Sequence, residues 1–263
     1  MIFFIDAEMM SLSSTRSNLN STMAAKNKNI NTRILLVFLH GAGMNNLVWE
    51  NVSEQLTRKS FKTLVLDWPG HGNSSDGPLT TIPSLGLWLI ARLERSNFDQ
   101  FALIGHSLGS AVAGYAAAAM GTKVKSLILC STARNFCVHP DLLKMASENE
   151  CQAQKLIEKW SAGTRPHHLT DYFTSKLKGT LVIDLKACNE YLKCLSDAKR
   201  WLCPTLFISG TKDRMTPLNG ASPLVDAARF SSHASIDGAG HMLPLEVPEQ
   251  LVSLIEVFLK KSL

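Results

Sequence analysis

The chain has 263 residues, of which 45% are apolar and 19% charged, with a formal net charge of +5. That length and composition suit one globular domain with a sizeable core. The basic residues are dispersed with no aromatic-interleaved run, which argues against a nucleic-acid partner, and no stretch is long and apolar enough to span a membrane. The six cysteines form no C-x-x-C pair and no Cys/His zinc spacing, so reduced thiols in a cytoplasmic protein, without a bound metal, are expected.

Met1-Ile2-Phe3-Phe4-Ile5 is a short apolar run, read as a candidate strand, that Asp6 and Glu8 end at once. Residues 9 to 33 are rich in Ser, Thr, Asn and Met, and residues 1–32 as a whole are expected to form a flexible or poorly defined N-terminal extension. From there short β-rich runs alternate with helical ones. Ile34 to Leu39 reads as a strand buried on both faces, and Val48 to Lys59 as a helix. Lys62 to Leu66 is the next strand, and a Gly/Pro/Asn/Ser loop leads to a helix over Pro83 to Asn97, with Pro83 suited to the first turn. Gln100 to Ile104 is a strand, Ser110 to Met120 an Ala-rich helix, and Val124 to Cys130 a further strand. Residues 138–201 are polar and helical in pattern and read as an inserted cap. The alternation resumes with strands at Thr205 to Ser209 and Ala234 to Asp237 and helices at 219 to 228 and Pro248 to Lys260.

This rhythm predicts an α/β fold, a mostly parallel sheet with helices on both faces. Its core is assigned to 33–137 and 202–263. In such sheets ligands bind beyond the C-terminal strand ends. Ser107, Asp213 and His241 each follow a predicted strand. A serine hydroxyl is a weak nucleophile that needs a base; an imidazole supplies one, and a carboxylate on its other nitrogen fixes the tautomer. Gly105 and Gly109 flank Ser107 at two residues on either side, where side chains would crowd a sharp strand-to-helix turn.

Gly105-His106-Ser107-Leu108-Gly109 resembles the G-x-S-x-G nucleophile elbow of the α/β-hydrolase family, and the order Ser, Asp, His is that family's order. His40-Gly41-Ala42-Gly43, Asp67-Trp68-Pro69-Gly70-His71-Gly72-Asn73-Ser74, and Gly238-Ala239-Gly240-His241-Met242 with Glu246-Val247-Pro248 are further matches, and the resemblance covers roughly residues 33 to 261. The resemblance implies an oxyanion hole from the backbone N–H of Leu108 and one from Ala42 or Gly43. It also implies an opening antiparallel hairpin, which residues 1 to 32 do not display. Trp68, which either lines the pocket or merely packs, and Met242 are the pocket candidates. His40, His71 and His106 are expected to brace loops, and Asp67 and Asp76 are lesser candidates for the acid. His167 and His168 are expected to be solvated, and Leu142, Leu143 and Met145 to pack the cap.

The implied activity is hydrolysis of carboxylic esters, lactones or thioesters through an acyl-enzyme, on a small-molecule substrate and without a cofactor. Dehalogenases and epoxide hydrolases of similar pattern carry Asp where this chain has Ser107. Carbon–carbon hydrolases of ring-cleavage products commonly carry Trp after the histidine, where this chain has Met242. A non-catalytic ligand receptor with an intact triad is the rival from another class.

Overall fold

The computed structural model describes residues 4–5, 34–164, 168–173 and 179–263. Its strands are β1 (Phe4–Ile5), β2 (Ile34–Leu39), β3 (Lys62–Leu66), β4 (Gln100–His106), β5 (Val124–Cys130), β6 (Thr205–Gly210) and β7 (Ser231–Ile236). Its helices are α1 (Glu50–Arg58), α2 (Ile82–Glu94), α3 (Leu108–Met120), α4 (Pro140–Glu148), α5 (Glu150–Ser161), α6 (Thr180–Glu190), α7 (Cys194–Ala198), α8 (Leu218–Ala227), α9 (Leu243–Glu246) and α10 (Pro248–Ser262). The strands form one sheet in the order β1-β7-β6-β5-β4-β2-β3. β2 to β7 run parallel, and β1 alone is antiparallel, pairing Phe4 with Ala234 and Ile5 with His233. The remainder of the expected N-terminal extension, residues 1–3 and 6–32, lies outside the described residues, so no hairpin is described there.

Why these runs are strands is visible in their two-residue alternation. Leu35, Val37 and Leu39 of β2, Phe101 and Leu103 of β4, and Leu127 and Leu129 of β5 point into one core. Their intervening neighbours Leu36 and Phe38, Ala102 and Ile104, and Ile128 and Cys130 point into the other. A strand apolar at every position therefore has to be covered on both sides. α2, α3 and α8 contribute to the first core, and α1, α9 and α10 to the second. Thr81 caps α2 through a capping box with Ser84, and Pro83 lies in its first turn.

The observed boundaries differ from the expected ones where polar residues carry backbone pairing. β7 begins at Ser231, because Ser231 and Ser232 pair with Thr205 and Leu206 of β6 despite their polarity. The helix expected from Val48 starts as a 3-10 turn over Asn46–Trp49 before α1. Between β5 and β6, α4, α5 and α6 stand over the strand ends. α7 instead packs against α3 and α8, and the Trp201 indole donates to the Gly114 carbonyl at 2.8 Å.

Candidate active site

Ser107 alone separates β4 from α3, so the chain reverses through one residue. It adopts φ 52° and ψ −119°, a conformation costly for a side chain with a Cβ, on the order of 1–3 kcal/mol. Neighbours over-determine it. The Ser107 N–H donates to the Cys130 carbonyl at 3.0 Å, and the Ser107 carbonyl accepts from the Ser110 hydroxyl at 2.6 Å. A Cβ on Gly105 would lie 2.3 Å from the Gly109 carbonyl oxygen, and one on Gly109 would lie 2.3 Å from that of Leu39. Glycine at both positions is what lets β2, β4 and α3 meet here.

The loop after β6 carries Asp213 and the loop after β7 carries His241. The two side chains are buried, with His241 Nδ1 2.9 Å from Asp213 Oδ2. Asp213 also accepts from the Thr216 hydroxyl at 2.7 Å and from the backbone N–H groups of Met215 and Thr216. Burial pushes its pKa up, but the charge and hydrogen bond of His241 and the Thr216 donors bring it down to about 2. The carboxylate is thus ionised across any ordinary working pH.

The backbone of His241 is fixed as firmly as its ring. Its carbonyl accepts from the Ser131 hydroxyl at 2.8 Å and lies 2.9 Å from His106 Nε2, and its N–H donates to the Ser161 carbonyl at the end of α5. The Glu246 carboxylate accepts from the N–H groups of Gly240, Met242 and Gly163. Thr216, Ser131 and Glu246 carry these roles without a signal of their own in the sequence, apart from the motif that includes Glu246.

Ser107, His241, Ala42 and Met242 line one cavity of about 400 Å³, together with apolar side chains from α4, α5 and α6 such as Leu142, Ile157, Trp160 and Leu185. Trp68 does not line it. That pocket assignment is corrected: Trp68 is fully buried, its indole donates to the His40 carbonyl at 3.1 Å, and its ring meets Trp88 edge-on. It supports the His40 loop from below. The oxyanion assignment is corrected at Gly43, whose N–H donates at 2.8 Å to the buried carboxylate of Asp184 on α6. A donor already committed to a carboxylate does not face a substrate. The N–H groups of Ala42 and Leu108 have no acceptor among the described residues.

Asp184 is the residue that the sequence reading passed over. Its Oδ2 also lies 2.9 Å from His71 Nε2, both side chains being almost wholly buried. Burial lowers the His71 pKa, yet the hydrogen bond and charge of Asp184 more than offset this and raise it. Asp184 therefore joins α6 to the loops carrying Gly43 and His71. The signal for it was an acid inside the apolar run Leu181-Val182-Ile183-Asp184-Leu185.

His40 and His106 brace loops, as expected. His40 Nδ1 lies 2.8 Å from the Gly41 carbonyl, and its Nε2 accepts from the Trp68 N–H. Asp67 accepts from the backbone N–H groups of Asn46 and Asn73, and Asp76 is exposed; neither lines the cavity. His168 is exposed with Nδ1 3.5 Å from Glu158, and His167 lies outside the described residues.

Burial, aided by the charge of His71, lowers the pKa of His40, and burial with the charge of His241 lowers that of His106 to about 3. The unfolded chain thus binds more protons at these two sites below pH 6.5, so stability falls as pH drops through that value. His71 acts in the opposite sense, and mainly above pH 6.5. Urea unfolding is expected to give a free energy roughly 3 kcal/mol lower at pH 5 than at pH 7. Equal stability at the two pH values would remove the neutral, buried state assigned to His40 and His106.

A model of the alpha/beta hydrolase family matches residues 36–254. Over 253 residues the chain is 24% identical to (E)-2-((N-methylformamido)methylene)succinate hydrolase of Acinetobacter baylyi, covering 86% of this chain and 90% of that relative. A shorter match, 32% identical over 146 residues, is to 2-succinyl-6-hydroxy-2,4-cyclohexadiene-1-carboxylate synthase of Citrobacter koseri. It covers 53% of this chain and only 51% of that relative's length. Among solved structures, the esterase EaEST of Exiguobacterium antarcticum superposes with a TM-score of 0.77 at 18% identity, covering 86% of this chain and 91% of the esterase. An enol-lactonase of Burkholderia xenovorans does so with 0.76 at 19% identity, covering 86% and 91%. Those likenesses are of fold. The family model, by contrast, spans most of the sequence, from within β2 into α10, and on that match the chain belongs to the alpha/beta hydrolase family.

Proposed function

We propose that this protein hydrolyses carboxylic esters or lactones through a covalent acyl-enzyme on Ser107. The observation that carries the reading is the buried His241–Asp213 pair, whose imidazole opens onto the same cavity as the serine on its strained turn. His241 takes the proton of the Ser107 hydroxyl as its oxygen attacks the ester carbonyl, and Asp213 stabilises the imidazolium that forms. The N–H groups of Ala42 and Leu108 receive the negative oxygen of the tetrahedral intermediate, each worth roughly 3 kcal/mol of barrier. Collapse expels the alcohol, protonated by His241. Water, activated by the same imidazole, then releases the acid and restores Ser107. Every proton stays between substrate, water and His241, so the cycle needs no cofactor.

The comparisons support ester and lactone bonds to the extent that fold neighbours described as esterases and an enol-lactonase share this architecture. The direct experiment is labelling with a fluorophosphonate probe beside a panel of p-nitrophenyl esters of increasing acyl length. Labelling is expected in the wild type and absent in Ser107→Ala. A well-folded wild type that takes no label and turns over no ester would leave a ligand receptor as the better description.

A further inference from the structure

The cavity over Ser107 has an unequal charge. Its lining contains no aspartate or glutamate, but it contains the guanidinium-bearing Arg214. The neighbouring Asp213 does not neutralise it, because that carboxylate is turned toward His241, Thr216 and two backbone N–H groups. Among the described residues Arg214 enters no ion pair. Its one hydrogen bond is a long one, from Nη2 to the Lys159 carbonyl in the last turn of α5, at 3.4 Å. A guanidinium offers five N–H donors in a planar fork, so most of this one's capacity is unspent.

Position limits what such a group meets. Arg214 is exposed and stands at the opening of the cavity, beside Trp160, while Phe136, Leu142, Ile157 and Leu185 present apolar surface on the lining. A ligand suited to both parts has an apolar stem and an anionic end. Arginine forks match the two oxygens of a carboxylate, and such a charge-assisted pair is stronger than a neutral hydrogen bond.

We propose that the cavity selects esters that carry a carboxylate, which Arg214 binds at the opening while the ester carbonyl reaches Ser107. This rests on the hydrolase reading above and adds the substrate's charge to it. Two matched pairs of substrates test it. Mono-p-nitrophenyl adipate is compared with p-nitrophenyl hexanoate, and the butyrate ester of 4-hydroxyphenylacetate with that of p-cresol. They place the carboxylate on the acyl and the alcohol side respectively.

In at least one pair, kcat/KM is expected to favour the charged member at least tenfold. Arg214→Gln is expected to reduce that ratio tenfold or more, mainly through KM, and Arg214→Lys to retain part of it. Reading the ratio cancels any general disturbance beside Asp213. A charge preference absent from both pairs, or unchanged in Arg214→Gln, overturns this inference and leaves the hydrolase standing. Turnover of none of the four esters by a protein whose Ser107 takes the fluorophosphonate label overturns this inference alone; if the folded protein takes no label either, the hydrolase reading falls with it.

Discussion

Ser107→Ala, His241→Gln and the double variant are expected to fall to one common residual kcat, about 10⁴-fold or more below the wild type. In the proposed mechanism each residue works only through the other. Without the imidazole the hydroxyl keeps its proton, and without the hydroxyl the imidazole has nothing to activate in the first step. Independent contributions would instead multiply, making the double variant far slower than either single one. Structure favours a clean test. The backbone of His241 is held by Ser131, His106 and Ser161 through its own carbonyl and N–H, none of which the glutamine removes. Single-turnover and steady-state rates on one p-nitrophenyl ester, with circular dichroism to verify folding, are sufficient. A double variant slower than both singles by a large factor would show that Ser107 and His241 do not act as a pair.

The second large effect is on stability. Asp184→Ala leaves the His71 imidazole and the Gly43 N–H buried without their acceptor, which is expected to cost about 3–5 kcal/mol in urea unfolding. His71→Leu combined with Asp184→Leu should recover part of that loss, since a paired removal leaves no unmatched charge. The effect also carries a sign in pH. His71 has a raised pKa in the folded state, so the stabilisation from its charge is complete below about pH 6.5 and is lost as pH rises through the raised value. The penalty of Asp184→Ala is therefore expected to shrink in alkaline buffer. A loss under 1 kcal/mol, or one that grows with pH, would contradict the buried ion pair.

Much of this molecule was legible in the sequence for a physical reason. Strands buried on both faces need an unbroken apolar run, and residues 34–39 of β2, 101–104 of β4, 127–130 of β5 and 206–208 of β6 supply one, so these strand ends could be located, with Ser107 beyond β4 and Asp213 beyond β6; His241 follows the more polar β7 and was read from its glycine-flanked motif. Contacts made across great sequence distance were not legible. Asp184 meets Gly43 from 141 residues away and His71 from 113, and no local pattern ties one to the others. Trp68 stayed open between lining the pocket and packing, because its motif fixes the loop but not which way the indole turns. Arg214 sits in the loop after β6 next to Asp213, where nothing in the sequence distinguishes a solvated charge from one facing a cavity.

The fastening of the His241 loop to α5 bears on how this enzyme scaffold can be altered. Ser161 and Gly163 meet the His241 segment directly, and Asp184 reaches the loop beside Ser107. Exchanging residues 138–190 for the corresponding stretch of another hydrolase would thus replace more than the shape of the binding space. The graft would arrive without the hydrogen bonds that hold the His241 and Gly43 loops, and any turnover would suffer before its specificity could be judged. Variation confined to inward side chains such as Leu142, Ile157 and Leu185 leaves those anchors in place, and is the route by which a library should explore new substrates.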